Sequence, residues 1–315
     1  MINLRYHVVS LVAVFLALGV GVVMGSTVID RVTVDALEAQ VGRVENSVKA
    51  TQAENRRLDG ELRAVRDFAD QARDQIADGD LDGVPVMVTA VTGIDRKAVD
   101  GLRQALVSAQ ADVAGTIWFT AKMRLGSDGD VRELAAVLGL PPLPPDQPLL
   151  PDQPDQVRRQ ALARMAAVLT GGTAPNPLPA LVTGGFLVFE PPPQEIPTTT
   201  PLAALPTGGV RVVLISGAGA DVGDDQLATP LAQALSSGRL VAAEAGQNTP
   251  GGRGVFVGLL RNDSVVAARI STVDNLESPM GQAAAVLALE DLAVPRTGHF
   301  GVGPGAQRLL PAAGT

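Results

Sequence analysis

The chain opens with an apolar run and then changes period twice. Between Tyr6 and Ile29 no acidic or basic side chain interrupts the run, apart from His7 at its edge. A helix over that stretch reaches roughly 36 Å, enough to cross a hydrocarbon core of ~30 Å with some tilt. In lipid every backbone amide needs an internal partner, which a helix supplies. The pattern predicts a transmembrane anchor over residues 1–29, with Val8, Leu11, Phe15 and Leu18 among its lipid-facing positions. Arg5 precedes the span, and Asp30, Arg31, Asp35 and Glu38 follow it. The amino end is therefore expected in the cytoplasm and the rest of the chain outside. A cleaved signal peptide is the competing reading, with Val23 and Gly25 before the cut, but the run exceeds the usual apolar core of about 7–15 residues. Gly21 and Gly25 form a small-xxx-small pair that lets two such helices approach closely.

The next stretch repeats every 3.5 residues on average. Val34, Leu37, Val41, Val44, Val48, Thr51, Asn55, Leu58, Leu62, Val65, Ala69, Ala72 and Ile76 alternate spacings of three and four without a break. With Val34 at a and Leu37 at d, the stripe is a coiled-coil seam roughly 60–65 Å long. Asn55 falls at an a position, where one buried amide selects a two-stranded, parallel, in-register pair. A parallel homodimer also suits two chains leaving the same membrane face. The alternative is one long amphipathic helix packed back on the rest of the molecule. The stalk is expected over residues 30–80, ending near Asp78-Gly79-Asp80 and Asp82-Gly83.

From residue 84 to 315 the pattern changes again, to short β-branched runs between helical spacings. Val84–Val91, Val113–Thr120, Val210–Ser216 and Leu240–Glu244 read as strands, with Gly254–Leu260 and Val265–Ser271 as further strands. Asp95–Ala109, Val131–Leu138, Gln156–Leu169, Gln226–Ser236 and Pro279–Leu292 read as helices. Leu178–Phe189 is apolar and broken by glycine, and the Pro-rich stretches from Pro141 and from Pro191 read as insertions. The order predicts an α/β domain whose mainly parallel sheet is covered by helices, with a Gly- and Pro-rich tail.

Composition narrows the chemistry. The net charge is −8, which disfavours nucleic acid as a partner. Cysteine is absent and the two histidines are His7 and His299, so thiol chemistry, a multi-His metal site and a His-based triad are not expected within one chain. The methionines, Met1, Met24, Met87, Met123, Met165 and Met280, form no close pair in sequence and read as core filling. No nucleophile–base set points to an enzyme, and no cofactor is expected. The candidate ligand loop is Ser216–Asp221, where Ser216, Gly217, Gly219 and Asp221 follow the strongest strand. It matches no phosphate-binding fingerprint, so a tight turn is the plainer reading. Gly251–Gly254 reads as a turn with an exposed Arg253. Asp224-Asp225, and Asp274 with Glu277, read as features of helix amino termini.

Two segments carry a family resemblance. The opening MINLRYHVVSLVAVFLALGVGVVMGSTVID, and the pair STVDNLESPMGQAAAVLALEDL and GHFGVGPGAQRLLP near the end, resemble the actinobacterial MctB family. The resemblance implies a cell-envelope protein with a role in copper efflux or resistance, copper being implied by the resemblance alone. It also implies, for some relatives, a role as partner of a division-site protein that regulates cell-wall hydrolysis. A transmembrane β-barrel finds no support in the residues: the chain has nine aromatic side chains, and its strand candidates are continuous apolar runs between helices.

Overall fold

The computed structural model describes residues 4–76, 81–192, 202–206, 208–235, 238–246, 256–293 and 296–311. The chain divides into two units, residues 1–65 and 66–315.

The first unit is formed by α1, which runs from Leu4 to Ile76 and continues into the second. Its Arg5–Gly25 segment has a mean hydropathy of 2.6 and none of it is buried against protein. It is long and apolar enough to cross a membrane. Farther along α1, the apolar seam positions Leu37, Val41, Val44, Val48, Leu58 and Leu62 are all exposed, and so is Asn55. The side chain of Val65 lies outside the described residues. Lys49 pairs with Glu45, and Arg57 with Glu54, along the helix surface; such i,i+4 and i,i+3 pairs each add a few tenths of a kcal/mol.

The second unit is a mixed α/β domain. Its elements are β1 (Pro85–Val91), α2 (Arg96–Ser108), β2 (Asp112–Phe119), α3 (Asp128–Val137), α4 (Gln153–Leu169), α5 (Leu178–Thr183), β3 (Leu187–Glu190), β4 (Arg211–Gly217), α6 (Ala228–Ala234), β5 (Leu240–Ala245), α7 (Phe256–Asn262), α8 (Ser264–Ala267), β6 (Ser271–Val273), α9 (Pro279–Glu290) and β7 (His299–Phe300). They build one seven-stranded sheet in the order β3-β2-β1-β4-β5-β6-β7. All neighbours are parallel except β2 and β3. The sheet is open, with β3 and β7 at its edges, and it is not closed into a barrel.

Helices cover both faces. On one face α2 and α9 bury Val99, Leu102, Leu106, Ala285 and Leu289 against Val88, Val213 and Val241. On the other, α3, α4, α6 and α7 bury Leu134, Met165, Leu231 and Phe256 against Met87, Leu214 and Ala242. Strands buried on both faces are apolar at most positions, which is why β1, β2, β4 and β5 read as largely hydrophobic runs, with polar exceptions such as Thr89, Thr116, Ser216 and Glu244. Local signals set the helix starts. Asp95 accepts the Lys97 N–H at 3.0 Å before α2, and Ser278 accepts the Gly281 N–H at 3.0 Å before α9, with Pro279 at its first position. Helices α2 and α9 pack closely: a Cβ on Gly101 would lie 2.3 Å from the Gln282 Nε2.

Two expected strands are helices. Within Gly254–Leu260 the described residues from Phe256 onward belong to α7, because Phe256, Val257 and Leu260 share one buried face at helical spacing. Within Val265–Ser271 the chain forms α8, and only Ser271 belongs to a strand. The Asp263 carboxylate accepts the N–H groups of Val265 and Val266, and that cap overrides the β preference of two valines. Short apolar runs carry too little period to separate strand from helix.

One connection breaks the pattern of the rest. From β1 to β2 the chain crosses over the α2 face; from β4 to β5 and from β5 to β6 it moves the opposite way across the sheet over the other face, so all three share one hand. From β6 to β7 it keeps moving that way, but through α9 on the α2 face. The hand is therefore reversed at β7. Reversed crossovers are rare, and this one ends in a strand of two residues held by backbone and side-chain hydrogen bonds alike.

Candidate functional site

Strand order changes direction between β1 and β4, and ligands of open α/β sheets sit outside the carboxyl ends of the strands at such a point. Here that place is filled by the chain itself. The loop after β1 and the loop after β4 bond directly, Asp221 N–H to the Thr92 carbonyl at 2.7 Å. A Cβ on Gly93 would lie 2.2 Å from the Gly219 carbonyl oxygen. Gly217, at φ +145°, abuts the Ala245 carbonyl, and a Cβ there would come within 2.1 Å of its oxygen. Arg124 donates to the carbonyl and the carboxylate of Asp221. Thus Gly217, Gly219 and Asp221 are all engaged in loop-to-loop contacts, and the Ser216 hydroxyl donates to the Asp224 carboxylate.

The polar chemistry lies one step along the sheet, at the carboxyl ends of β4, β5 and β6. Ser216 is in register with Glu244, and Ala243 with Val273, so Ser216, Glu244 and Asp274 fall side by side on the face that carries α6 and α7. Glu244 is 1% exposed. Its Oε2 accepts the Val257 N–H of α7 at 3.2 Å, whereas its Oε1 meets no donor. Burial foremost, with help from the charges of Asp224 and Asp274, pushes the Glu244 carboxyl up to about 7, against the pull of the Val257 N–H and Arg261. The Asp224 carboxyl is raised as well, by burial and by Asp225, while the Ser216 hydroxyl pulls it down.

Next to this pair stands a buried ion pair. Arg261 of α7 meets Asp274 at 2.6 Å, with 5% and 2% of their side chains exposed. Arg261 also donates to Thr272 Oγ1 at 2.9 Å and to the carbonyls of Phe300 at 2.8 Å and Pro304 at 3.0 Å. Asp274 accepts the N–H groups of Val302 and Gly303 at 2.8 and 2.9 Å. The pair thereby fastens β7 and the turn after it to β6. His299 Nδ1 lies 3.0 Å from Thr272 Oγ1, and burial and Arg261 lower its pKa.

These placements correct two expectations. Asp224-Asp225 does not cap a helix, since α6 begins at Ala228 and has no side-chain cap; Asp224 turns inward to Ser216. Asp274 does not cap α9 either, because Ser278 does, and Glu277 accepts the Gly246 N–H at 3.3 Å. Gly251–Gly254 lies outside the described residues. Sequence reasoning missed Glu244, although a lone acid inside the apolar run LVAAEA was the signal for it. It also missed Arg261, whose partners come from segments distant in sequence.

Among the described residues no three His, Asp or Glu side chains converge to chelate a metal. Met87, Met123 and Met165 are fully buried in the core on the α4 face. The site offers carboxylates, a hydroxyl and a guanidinium already paired, a set suited to holding a proton or a small cation.

The paired groups give a pH prediction. In the unfolded chain Glu244 loses its proton near the ordinary value of 4.5, but folded it keeps the proton to about 7. Between those values the folded state binds more protons, so this group makes stability fall as pH rises, with no further change below or above the window. The fall across the whole window is about 3 kcal/mol. Denaturant midpoints at pH 5 and pH 8 should drop more in the native sequence than in Glu244→Gln; equal drops would contradict the assignment.

A family model described as "Copper transport outer membrane protein, MctB" matches residues 1–311. Proteins named "Copper transporter MctB" are similar along nearly their whole length. Those of Mycobacterium tuberculosis (strain H37Rv) and Mycobacterium bovis are 27% identical over 317 residues, covering 97% of this chain and 98% of theirs. The one from Mycobacterium leprae is 30% identical over 320 residues, with the same shares covered.

Proposed function

Since this chain belongs to the MctB family of copper transport outer membrane proteins, we propose that it serves copper efflux or resistance in the cell envelope, tethered by α1 with its α/β domain on the non-cytoplasmic side. The observation that supports the tether is the Arg5–Gly25 stretch, strongly apolar after its first three residues and with none of it buried against protein. An unpartnered apolar helix of that length is stable in lipid and unstable in water. Arg5 at its amino end favours the orientation.

In this reading copper is cargo, handled by an assembly rather than chelated within one domain. Soft copper(I) prefers thiolate and thioether donors, and copper(II) takes imidazole. This chain has no cysteine, and its thioethers on the α4 face are enclosed in core. Deleting the gene from its host should lower tolerance to copper sulfate, and the full chain should restore it. A version lacking residues 1–29 should not. Unchanged tolerance on deletion would remove the copper reading while leaving the anchor in place.

A second reading is favoured by the exposed seam of α1. Leu37 is 56% exposed and Leu58 47%, although both sit at core positions of a heptad. Exposed Leu and Val at a and d positions are covered when a second copy pairs in parallel, making a stalk that presents two domains to an envelope or cell-division partner. Asn55→Leu removes the amide that selects two strands, and should shift the full chain in detergent from dimers to larger assemblies. An unchanged sedimentation profile would mean that the seam is not a coiled coil.

A further inference from the structure

We propose that Glu244, Asp224 and Ser216 form a site for a hard divalent cation of the Mg²⁺ class, separate from any handling of copper. Ser216 and Glu244 are partners on adjacent strands and lie on one face of the sheet, and the Ser216 hydroxyl donates to Asp224, which brings both carboxylates to the neighbourhood of one residue. The second observation is the Glu244 Oε1, which is buried and has no donor among the described residues. A carboxylate oxygen removed from water without a partner is costly, and such an atom in a native core calls for a ligand.

Charge points the same way. The groups that act on Glu244 are the carboxylates of Asp224 and Asp274 and the guanidinium of Arg261. Arg261 is committed to Asp274, to Thr272 and to the carbonyls of the C-terminal turn. Asp274 is satisfied in turn by Arg261 and two backbone N–H groups. Among the described residues no basic side chain is paired with Asp224 or Glu244, and a cation would supply that charge.

The donors choose the cation. All are oxygen, and the one nearby imidazole, His299, is engaged with Thr272 through Nδ1. Oxygen sets exclude soft metals and suit Mg²⁺, Mn²⁺ or Ca²⁺. With two carboxylates and a hydroxyl the protein fills only part of a coordination shell. Mg²⁺, which keeps several of its waters and uses one or two carboxylates, fits that best.

Mn²⁺ is the probe, because its free ion is counted directly by electron paramagnetic resonance. The full chain in detergent micelles should take up one Mn²⁺ with a dissociation constant of roughly 0.1–1 mM, as weak oxygen sites do. Excess Mg²⁺ should release it. Glu244→Gln and Asp224→Asn should each weaken uptake by about tenfold or more, with Asp146→Asn on the Pro-rich surface loop as the unchanged control. Circular dichroism checks that the variants fold, and if one does not, the other reads the site alone. No saturable uptake up to about 5 mM, or uptake indifferent to both substitutions, overturns the proposal. Neither result bears on copper tolerance, so this site and the copper reading fail separately.

Discussion

Asp274→Ala is expected to lower stability by about 3–5 kcal/mol, the cost of leaving one member of a buried ion pair alone. Arg261 would keep its charge in a site where 5% of its side chain reaches water. Two backbone N–H groups, of Val302 and Gly303, would lose their acceptor at the same time. The damage should be concentrated at β7, since that strand contributes two residues and is reached by a crossover of reversed hand. Amide hydrogen exchange should rise first at Phe300–Gly303, before the central strands. Adding Arg261→Met to Asp274→Ala should recover part of the loss, because no charge is then left buried. Additive losses, or exchange that rises evenly over the sheet, would show that the pair does not fasten the C-terminal segment.

Gly217→Ala should cost about 4 kcal/mol, from two sources that add. The residue sits at φ +145°, a conformation that side chains disfavour, and the new methyl would press on the Ala245 carbonyl oxygen at 2.1 Å. Backbone cannot swing aside as a flexible side chain can, and Ala245 ends β5 in register with Gly217 itself. Gly238→Ala separates the two sources. Gly238 also has a positive φ, +83°, but nothing lies within 4 Å of its Cβ position. It should cost about 1–2 kcal/mol. Chemical denaturation of the three proteins measures both values; equal losses at Gly217 and Gly238 would mean that the β4–β5 contact is not tight.

What the sequence made legible follows from how each element is stabilised. The central strands were plain because burial on both faces forces continuous β-branched runs, as in VVLIS of β4. Helices α2 and α9 were plain because their caps, Asp95 and Ser278, precede clear helical spacing. Helices α7 and α8 were not, because seven and four residues hold less than two turns or barely one, and Val265-Val266 imitates a strand. The loop Ser216–Asp221 was found as a candidate, yet its Gly219 and Asp221 answer to the Thr92–Gly93 loop, a contact between segments more than a hundred residues apart, and its Gly217 to Ala245 of β5. The Glu244 cluster needed strand register, and register across parallel strands is set by packing rather than by local pattern. Arg261 and Asp274 were ordinary surface types in the sequence; only the fold buries them together.

A role in the cell envelope requires that the first helix cross a membrane with the α/β domain beyond it. A tandem reporter at the C-terminus of the full chain, alkaline phosphatase joined to green fluorescent protein, reads the side directly in intact cells. The expected result is phosphatase activity without fluorescence, together with a membrane-fraction protein that retains its first 25 residues. Fluorescence without phosphatase activity, or a mature chain released into the soluble fraction, would contradict it.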